Sequence, residues 1–268
     1  MRWAAKTHPE LTQIKAGTYQ LTPHISLADA FNIFSVGKEH QFAITFVEGS
    51  TFKEWRAIIN QFQFLKHDSS LLSEKEIATK LDLSSNKVEG MLLPETYYFV
   101  AGESDMSIFR RASNQLQVVL DSAWKAREAN LPIKSPYDLL TLASIIEKET
   151  AVDIERGKVA SVFVNRLKKR MRLQTDPTVI YGMGDKYKGN IREEDLRTPT
   201  PYNTYVISGL PPTPIAMPGS ASIFAAANPD QTTYFYFVAS GYGGHQFSKT
   251  LAEHNYAVRQ YLKKSRSP

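Results

Sequence analysis

The 268-residue sequence contains no cysteine, which excludes disulfide bonds, thiolate metal sites and a cysteine nucleophile. No stretch approaches the roughly 18 apolar residues of a membrane-spanning helix, and the opening MRWAAKTHPELTQ lacks the apolar core of a signal peptide. No block of like charges occurs, and no Lys/Arg-rich run alternates with aromatic residues as in nucleic-acid-binding faces. The compartment stays open, because a cysteine-free chain suits an oxidising space as well as the cytosol.

The composition is that of a folded chain, with 42% hydrophobic and 22% charged residues. Its length fits one large domain or two to three small ones. The net charge of +5 and the pI near 9.2 permit an anionic partner such as nucleic acid, phospholipid headgroups or an acidic polymer. The same charge is also compatible with solubility alone.

Residue patterns predict an α+β chain in which the strands come mostly early and the helices are central. Residues 17–37 predict a strand, a turn and a short helix between an N-cap at Ser26 and Gly37. Residues 42–59 predict a strand and then a helix capped by Ser50 or Thr51, and a further strand is expected at 91–100.

The second half is predicted to begin with two long helices. The first covers residues 105–129, and the second starts at Ser135 with Pro136 in its first position and Asp138 in a capping-box arrangement. A third helix is expected from residue 153, loops dominate 174–222, and a strand at 233–240 precedes a final helix.

The segment LLTLASIIEKETA, residues 139–151, carries two glutamates at the end of an apolar helix. At about 100° per residue, Glu149 falls about 20° from Leu142, in the middle of the apolar face. Glu147 falls roughly 140° away, so the two carboxylates do not form a pair. Glu149 is therefore either a structural ion-pair partner of Arg156 or Arg166, or a desolvated general acid with a raised pKa.

Several further side chains are candidates for chemistry or binding. Asp176 is either a second acidic group or the cap of a turn at Pro177. His245 and His254 lack the spacing of a metal motif without an unseen third ligand, so no metal or other cofactor is predicted. Amide, hydroxyl and aromatic groups of the kind that line sugar clefts occur at Gln174, Thr175, Tyr181, Asn203 and Tyr205.

Sequence blocks across most of the chain resemble the MltG (YceG-like) endolytic murein transglycosylases. The blocks include VEGSTFKEW, EGMLLPETYYF, LASIIEKETA, LQTDPTVIYG, TPYNTYVISGLPP and GGHQF, in consistent order. The second glutamate of the E-K-E-T block, which is Glu149 here, corresponds to the catalytic acid of that family. One departure is Thr213, which follows Pro211-Pro212 where the family often has glycine.

The resemblance implies a fold and a domain order. It implies an N-terminal strand–helix segment at 1–41, a LysM-like α/β module at 42–103, and a lysozyme-like, mainly helical catalytic domain at 104–268 with a loop-rich region and short strands. It implies that Glu149 acts as a general acid and then as a base and that His245 borders the cleft. The chemistry of their side chains predicts that Gln174, Thr175, Asp176, Tyr181, Asn203 and Tyr205 contact the glycan.

The implied activity is endolytic cleavage of the MurNAc–GlcNAc β-1,4 bond in nascent peptidoglycan, with formation of a 1,6-anhydro-MurNAc end. The implied location is the periplasmic face of the bacterial inner membrane, through an anchor that this sequence does not contain. Cell-wall synthases (penicillin-binding proteins) are the expected partners. The alternatives are a noncatalytic peptidoglycan-binding module that recruits other enzymes and, more remotely, a nucleic-acid binder.

Overall fold

The computed structural model describes residues 14–265. The helices and strands in this range are α1 (Leu27–Val36), β1 (Phe42–Thr45), α2 (Phe52–Ile59), α3 (Glu74–Lys80), β2 (Thr96–Phe99), α4 (Asp105–Lys125), α5 (Pro136–Glu149), α6 (Asp153–Lys168), α7 (Asp176–Met183), a 3-10 turn (Gly184–Lys186), α8 (Glu193–Arg197), α9 (Ser220–Ala227), β3 (Tyr236–Ala239), β4 (His245–Ser248) and α10 (Leu251–Ser265). The α+β class predicted from the sequence is confirmed.

The helix starts predicted from local sequence are confirmed. Ser26 and Thr51 cap α1 and α2, and Thr51 forms a full capping box with Glu54. Ser135 caps α5 by accepting the backbone N–H of Asp138. The reciprocal half of that capping box is absent, because the Asp138 carboxylate accepts the N–H of Lys134 instead.

Two strand predictions need correction. The strand expected near residue 17 is absent between residues 14 and 26, where Lys15 N–H donates to Phe34 O of α1 rather than to a partner strand. The strand expected at 91–100 is limited to Thr96–Phe99. Pro94 has no N–H to contribute to a ladder, and Leu93 N–H donates to Ala112 O of α4, so the preceding residues lie outside the sheet.

A first hydrophobic core lies around the antiparallel pair β1–β2, in which Phe42 pairs with Phe99 and Thr45 with Thr96. Helices α2 and α3 and the N-terminal half of α4 cover this sheet. Trp55 is fully buried and its ring stacks on Phe46 with centroids 3.6 Å apart. The other main side chains of this core are Ile44, Ile59, Ile77, Leu92, Ile108, Phe109 and Met217.

A second core is built on α5, which has no exposed residue between Leu139 and Ile146. The C-terminal half of α4, α6 and α9 pack around it. On one side lies the antiparallel hairpin β3–β4, which α10 covers. Strand β4 was not predicted from the sequence, although it brings His245 to the candidate site. None of the helices within residues 14–265 is both long and apolar enough to cross a membrane.

The two cores are joined at the segment 214–219. Met217 belongs to the first core and exchanges backbone hydrogen bonds with Gly49 (2.9 Å) and Ser50 (2.8 Å). The last turn of α5 meets the same segment, because the Glu147 carboxylate accepts Gly219 N–H at 3.0 Å. Lys148 Nζ donates to Gly49 O at 3.0 Å. Glu147 and Lys148 of the E-K-E-T block therefore join the two halves of the chain, whereas Glu149 does not take part in this junction.

Candidate active site

Glu149 is the last residue of α5 and is partly exposed, whereas residues 139–146 of the same helix are buried. Arg156 pairs with Asp153, and Arg166 donates to backbone carbonyls, so neither of the two predicted partners forms an ion pair with Glu149. Burial is the main reason why the pKa of the Glu149 carboxyl is raised above its usual value. The nearby negative charge of Asp176 adds to this shift, which favours a protonated carboxyl.

The hydroxyl of Thr175 donates a hydrogen bond to Glu149 Oε1, which opposes the rise in the pKa of Glu149 and fixes the carboxyl orientation. Thr175 is 2% exposed, and two neighbouring threonines fix its backbone. Its backbone N–H donates to the Thr204 hydroxyl at 3.0 Å, and its carbonyl accepts the Thr178 hydroxyl at 2.7 Å. These threonines form a buried polar cluster whose outward end is the Thr175–Glu149 contact.

Gln174 and Asp176 flank Thr175 and both have exposed side chains. Gln174 adopts a left-handed backbone conformation with φ of 50°, an uncommon choice for a residue other than glycine. Its N–H donates to Thr204 O at 3.2 Å, which stabilises this turn. Asp176 is the first residue of α7, and its carboxylate accepts the hydroxyl of Tyr205 at 2.6 Å. The negative charge of Asp176 also acts on the Glu149 carboxyl, so the two acidic groups are neighbours.

His245 faces the site from β4. Its backbone N–H donates to Glu155 at 3.1 Å, and its Nδ1 lies 2.9 Å from the same carboxylate. A carboxylate at Nδ1 favours the tautomer with the proton on Nδ1, which leaves Nε2 free to accept a hydrogen bond. Glu155, in the first turn of α6, is a supporting residue that the sequence analysis missed, because it lies 90 positions before its partner.

Two further predicted site residues make their polar contacts within the protein. Asn203 is fully buried, and its amide donates to the carbonyls of Asp195, Leu196 and Thr198. It therefore shapes the loop and does not face a ligand, whereas the sequence analysis assigned it to substrate binding. Tyr181 is partly buried, and its hydroxyl donates to Glu89 Oε2 at 3.2 Å.

At the proline turn, Thr213 stands where the family often has glycine, and its side chain forms a hydrogen bond. The Thr213 hydroxyl lies 2.9 Å from the hydroxyl of Tyr202, whose ring packs edge-on against Tyr181. Within residues 14–265, no three His, Asp or Glu side chains are grouped so that they could hold a metal ion. His254 stacks on Tyr236 and does not join His245 in a shared site.

The site consists of a shielded carboxyl at a helix end, which a buried hydroxyl orients, with aspartate, amide, tyrosine and histidine side chains nearby. The profile of the YceG-like family matches residues 1–260, and the chain belongs to that family. The resemblance inferred from the sequence blocks is thereby confirmed.

Individual relatives agree with this assignment. The chain is 35% identical to the endolytic murein transglycosylase of Bacillus subtilis strain 168, over 92% of this chain and 73% of that protein. It is 27% identical to the endolytic murein transglycosylase of Streptococcus pneumoniae D39, over 85% of this chain and 47% of that longer protein. A crystal structure of a YceG-like protein from Listeria monocytogenes superposes with a TM-score of 0.69 at 30% identity, covering 95% of this chain and 88% of the other.

Proposed function

We propose that the protein is a lytic transglycosylase that cuts peptidoglycan glycan strands internally at the MurNAc–GlcNAc β-1,4 bond and leaves a 1,6-anhydro-MurNAc end. The observation that carries this proposal is Glu149, a shielded but reachable carboxyl whose pKa is raised by burial. The names of the Bacillus and Streptococcus relatives support peptidoglycan as the substrate class.

The proposed reaction needs only one carboxyl group. Protonated Glu149 donates its proton to the glycosidic oxygen as the bond from that oxygen to the anomeric carbon of MurNAc breaks. The 6-hydroxyl of the same MurNAc then attacks the anomeric carbon, and Glu149, now a carboxylate, takes up the hydroxyl proton. The nucleophile belongs to the sugar under attack, so proximity replaces the second carboxylate and the water of an ordinary glycosidase.

The neighbours of Glu149 suit supporting roles in this reaction. Thr175 directs one carboxyl oxygen and leaves the other for the glycosidic oxygen. In this reaction the negative charge of Asp176, which acts on the Glu149 carboxyl, stabilises the positive charge that develops at the anomeric carbon in the transition state. We assign glycan contacts to Gln174, Tyr205 and the Nε2 of His245, because Gln174 is exposed beside Thr175 and the partly exposed Tyr205 and His245 lie close to the Glu149 carboxyl.

The wider setting follows from the family resemblance. In this proposal, the half of the chain around β1–β2 is a LysM-like module that binds glycan, and the half around α5 is a lysozyme-like catalytic domain. The site of action is the periplasmic face of the inner membrane, beside penicillin-binding proteins that produce new strands.

The products of digestion test the function directly. We expect uncrosslinked glycan strands treated with the protein to yield fragments whose MurNAc ends are about 18 Da lighter than hydrolysed ends, since no water is consumed. Mass spectrometry of the fragments separates the two outcomes. Reducing ends would contradict intramolecular attack and assign Asp176 the role of a base. Glycan binding without any fragments would favour the noncatalytic binding module.

The pKa of the Glu149 carboxyl is expected to set the alkaline limit of activity, and the charge of Asp176 is expected to shift that limit. The Glu149 carboxyl must be protonated to act as the acid, so activity falls as the pH rises through its pKa. Asp176→Asn removes a negative charge that raises this pKa, and the alkaline limb of kcat/KM should move to lower pH. Thr175→Val removes a hydrogen bond that lowers the same pKa, so its limb should move to higher pH. If the alkaline limbs of kcat/KM of both variants fell at the same pH as that of wild type, a group other than Glu149 would set the alkaline limit.

A further inference from the structure

Glu89 carries a buried carboxyl that the reaction above does not use. Its residue is 5% exposed, and burial raises its pKa to about 7. Two donors from distant parts of the chain occupy its two oxygens. Phe52 N–H donates to Oε1 at 3.0 Å, and the Tyr181 hydroxyl donates to Oε2 at 3.2 Å.

The two donors belong to the two halves of the molecule. Phe52 is the first residue of α2 and is buried in the first core. Tyr181 lies on α7, the helix that begins at Asp176 directly after Thr175. A single carboxyl group thus connects the β1–β2 half of the chain to the helix whose start orients the catalytic acid.

The backbone beside Glu89 is shaped for this placement. Gly90 has φ of 75°, in the left-handed region, and a Cβ added there would lie 2.3 Å from Pro214 Cβ. A side chain at position 90 would therefore push the chain away from segment 214–219, where the two cores meet. The requirement for glycine is independent of the hydrogen bonds of Glu89 and points to the same close junction.

We propose that Glu89 is a positioning residue of the active site, which holds Tyr181 and thereby fixes α7 and Thr175 relative to Glu149. This inference rests on the proposed function, because it explains how the proposed acid is kept in place. Glu89 does not contact the reacting atoms and acts only through Tyr181.

The connection does not depend on the protonation state of Glu89. As a carboxylate it accepts both hydrogen bonds; as an acid it accepts from Phe52 and can donate its proton to the Tyr181 oxygen. The charged groups around it are Glu54, Glu74 and Lys87, and Lys87 pairs with Glu74 at 2.9 Å. A glutamine can also make both contacts, so Glu89→Gln should preserve the junction.

Four variants test the proposal through the release of anhydro-ended fragments. We expect Tyr181→Phe and Glu89→Ala each to lower kcat about tenfold with KM within about twofold, since a small displacement of the acid slows the chemical step. The double variant should be no slower than Glu89→Ala, because both changes break one connection. Glu89→Gln should restore kcat to within about twofold of wild type.

Tyr97→Phe is the matched control, because it also removes a buried tyrosine hydroxyl, bonded to Leu93 O at 2.7 Å, but one without a link to α7. It should lower the melting temperature and leave kcat unchanged.

A wild-type kcat in Tyr181→Phe would overturn the proposal. The proposal would also be overturned if the loss of kcat in the double variant equalled the product of the losses in the two single variants. A rise confined to KM would assign Tyr181 to glycan contact instead. If the wild-type protein releases no anhydro ends, the proposed function fails. If the wild-type protein is active and the variants are as active as wild type, only the positioning role of Glu89 fails.

Discussion

Glu149→Gln should lower the rate of glycan cleavage by about three orders of magnitude, because the amide cannot donate a proton to the glycosidic oxygen. The substitution keeps the size of the side chain, and its amide oxygen can still accept the Thr175 hydroxyl. We therefore expect the variant to fold and to bind glycan strands with affinity close to that of wild type. The measurement is fragment release under single-turnover conditions, together with a strand-binding assay.

Glu147→Gln is the control for this experiment. It makes the same chemical change two residues earlier on the same helix, where the side chain accepts Gly219 N–H and an amide oxygen can do so too. Its cleavage rate should stay within about twofold of wild type, because this carboxyl points to the junction of the two cores. Comparable losses in the two variants would contradict a unique role for Glu149, and an active Glu149→Gln would remove the proposed mechanism.

The position of Glu149 on the apolar face of α5 could be predicted from the sequence, because helical periodicity is a local property. Helical periodicity alone places position 149 on the apolar face of α5, and the caps at Ser26, Thr51 and Ser135 are local signals of the same kind. Such features depend on residues within one or two turns. They could be derived without knowing where the rest of the chain lies.

The contacts that give Glu149 its environment could not be derived in this way. Thr175 is 26 positions away, and its polarity suited a glycan contact as well as the support it gives to the acid. Asn203 has a side chain typical of sugar sites, yet its buried amide binds three backbone carbonyls. Glu89 opens the block EGMLLPETYYF, but its burial gave no local signal, since one acidic residue before a glycine resembles any exposed turn. Which polar groups become buried is decided by long-range packing.

Arg166 connects the two segments that carry the site residues to α6. Its Nε donates to Phe235 O at 2.6 Å, directly before β3, and its NH1 donates to the carbonyls of Arg172 at 3.3 Å and Leu173 at 2.8 Å. The first carbonyl belongs to the chain that leads into the hairpin carrying His245. The other two precede the turn at Gln174 that leads to Thr175. One buried guanidinium therefore sets the distance between the two sides of the site.

Arg166→Lys is accordingly expected to lower the free energy of unfolding by about 2–3 kcal/mol, despite keeping the charge. A lysine ammonium cannot reproduce the planar fork, so at least one buried carbonyl loses its donor. The fragment-release rate should fall as well, because the turn before Thr175 loses its support. Urea unfolding followed by tryptophan fluorescence measures the first effect, and the glycan digestion measures the second.

Arg172→Lys provides the comparison, because Arg172 is exposed and donates to only one carbonyl, Tyr205 O, at 2.9 Å. Its free energy of unfolding should stay within about 0.5 kcal/mol of wild type. If Arg166→Lys were equally mild, the three carbonyls would be satisfied by other groups and the guanidinium would not be what holds the two segments. A large loss of stability with an unchanged rate would show that Arg166 stabilises the fold but does not position the site. In that case Thr204 alone would support the turn at Thr175.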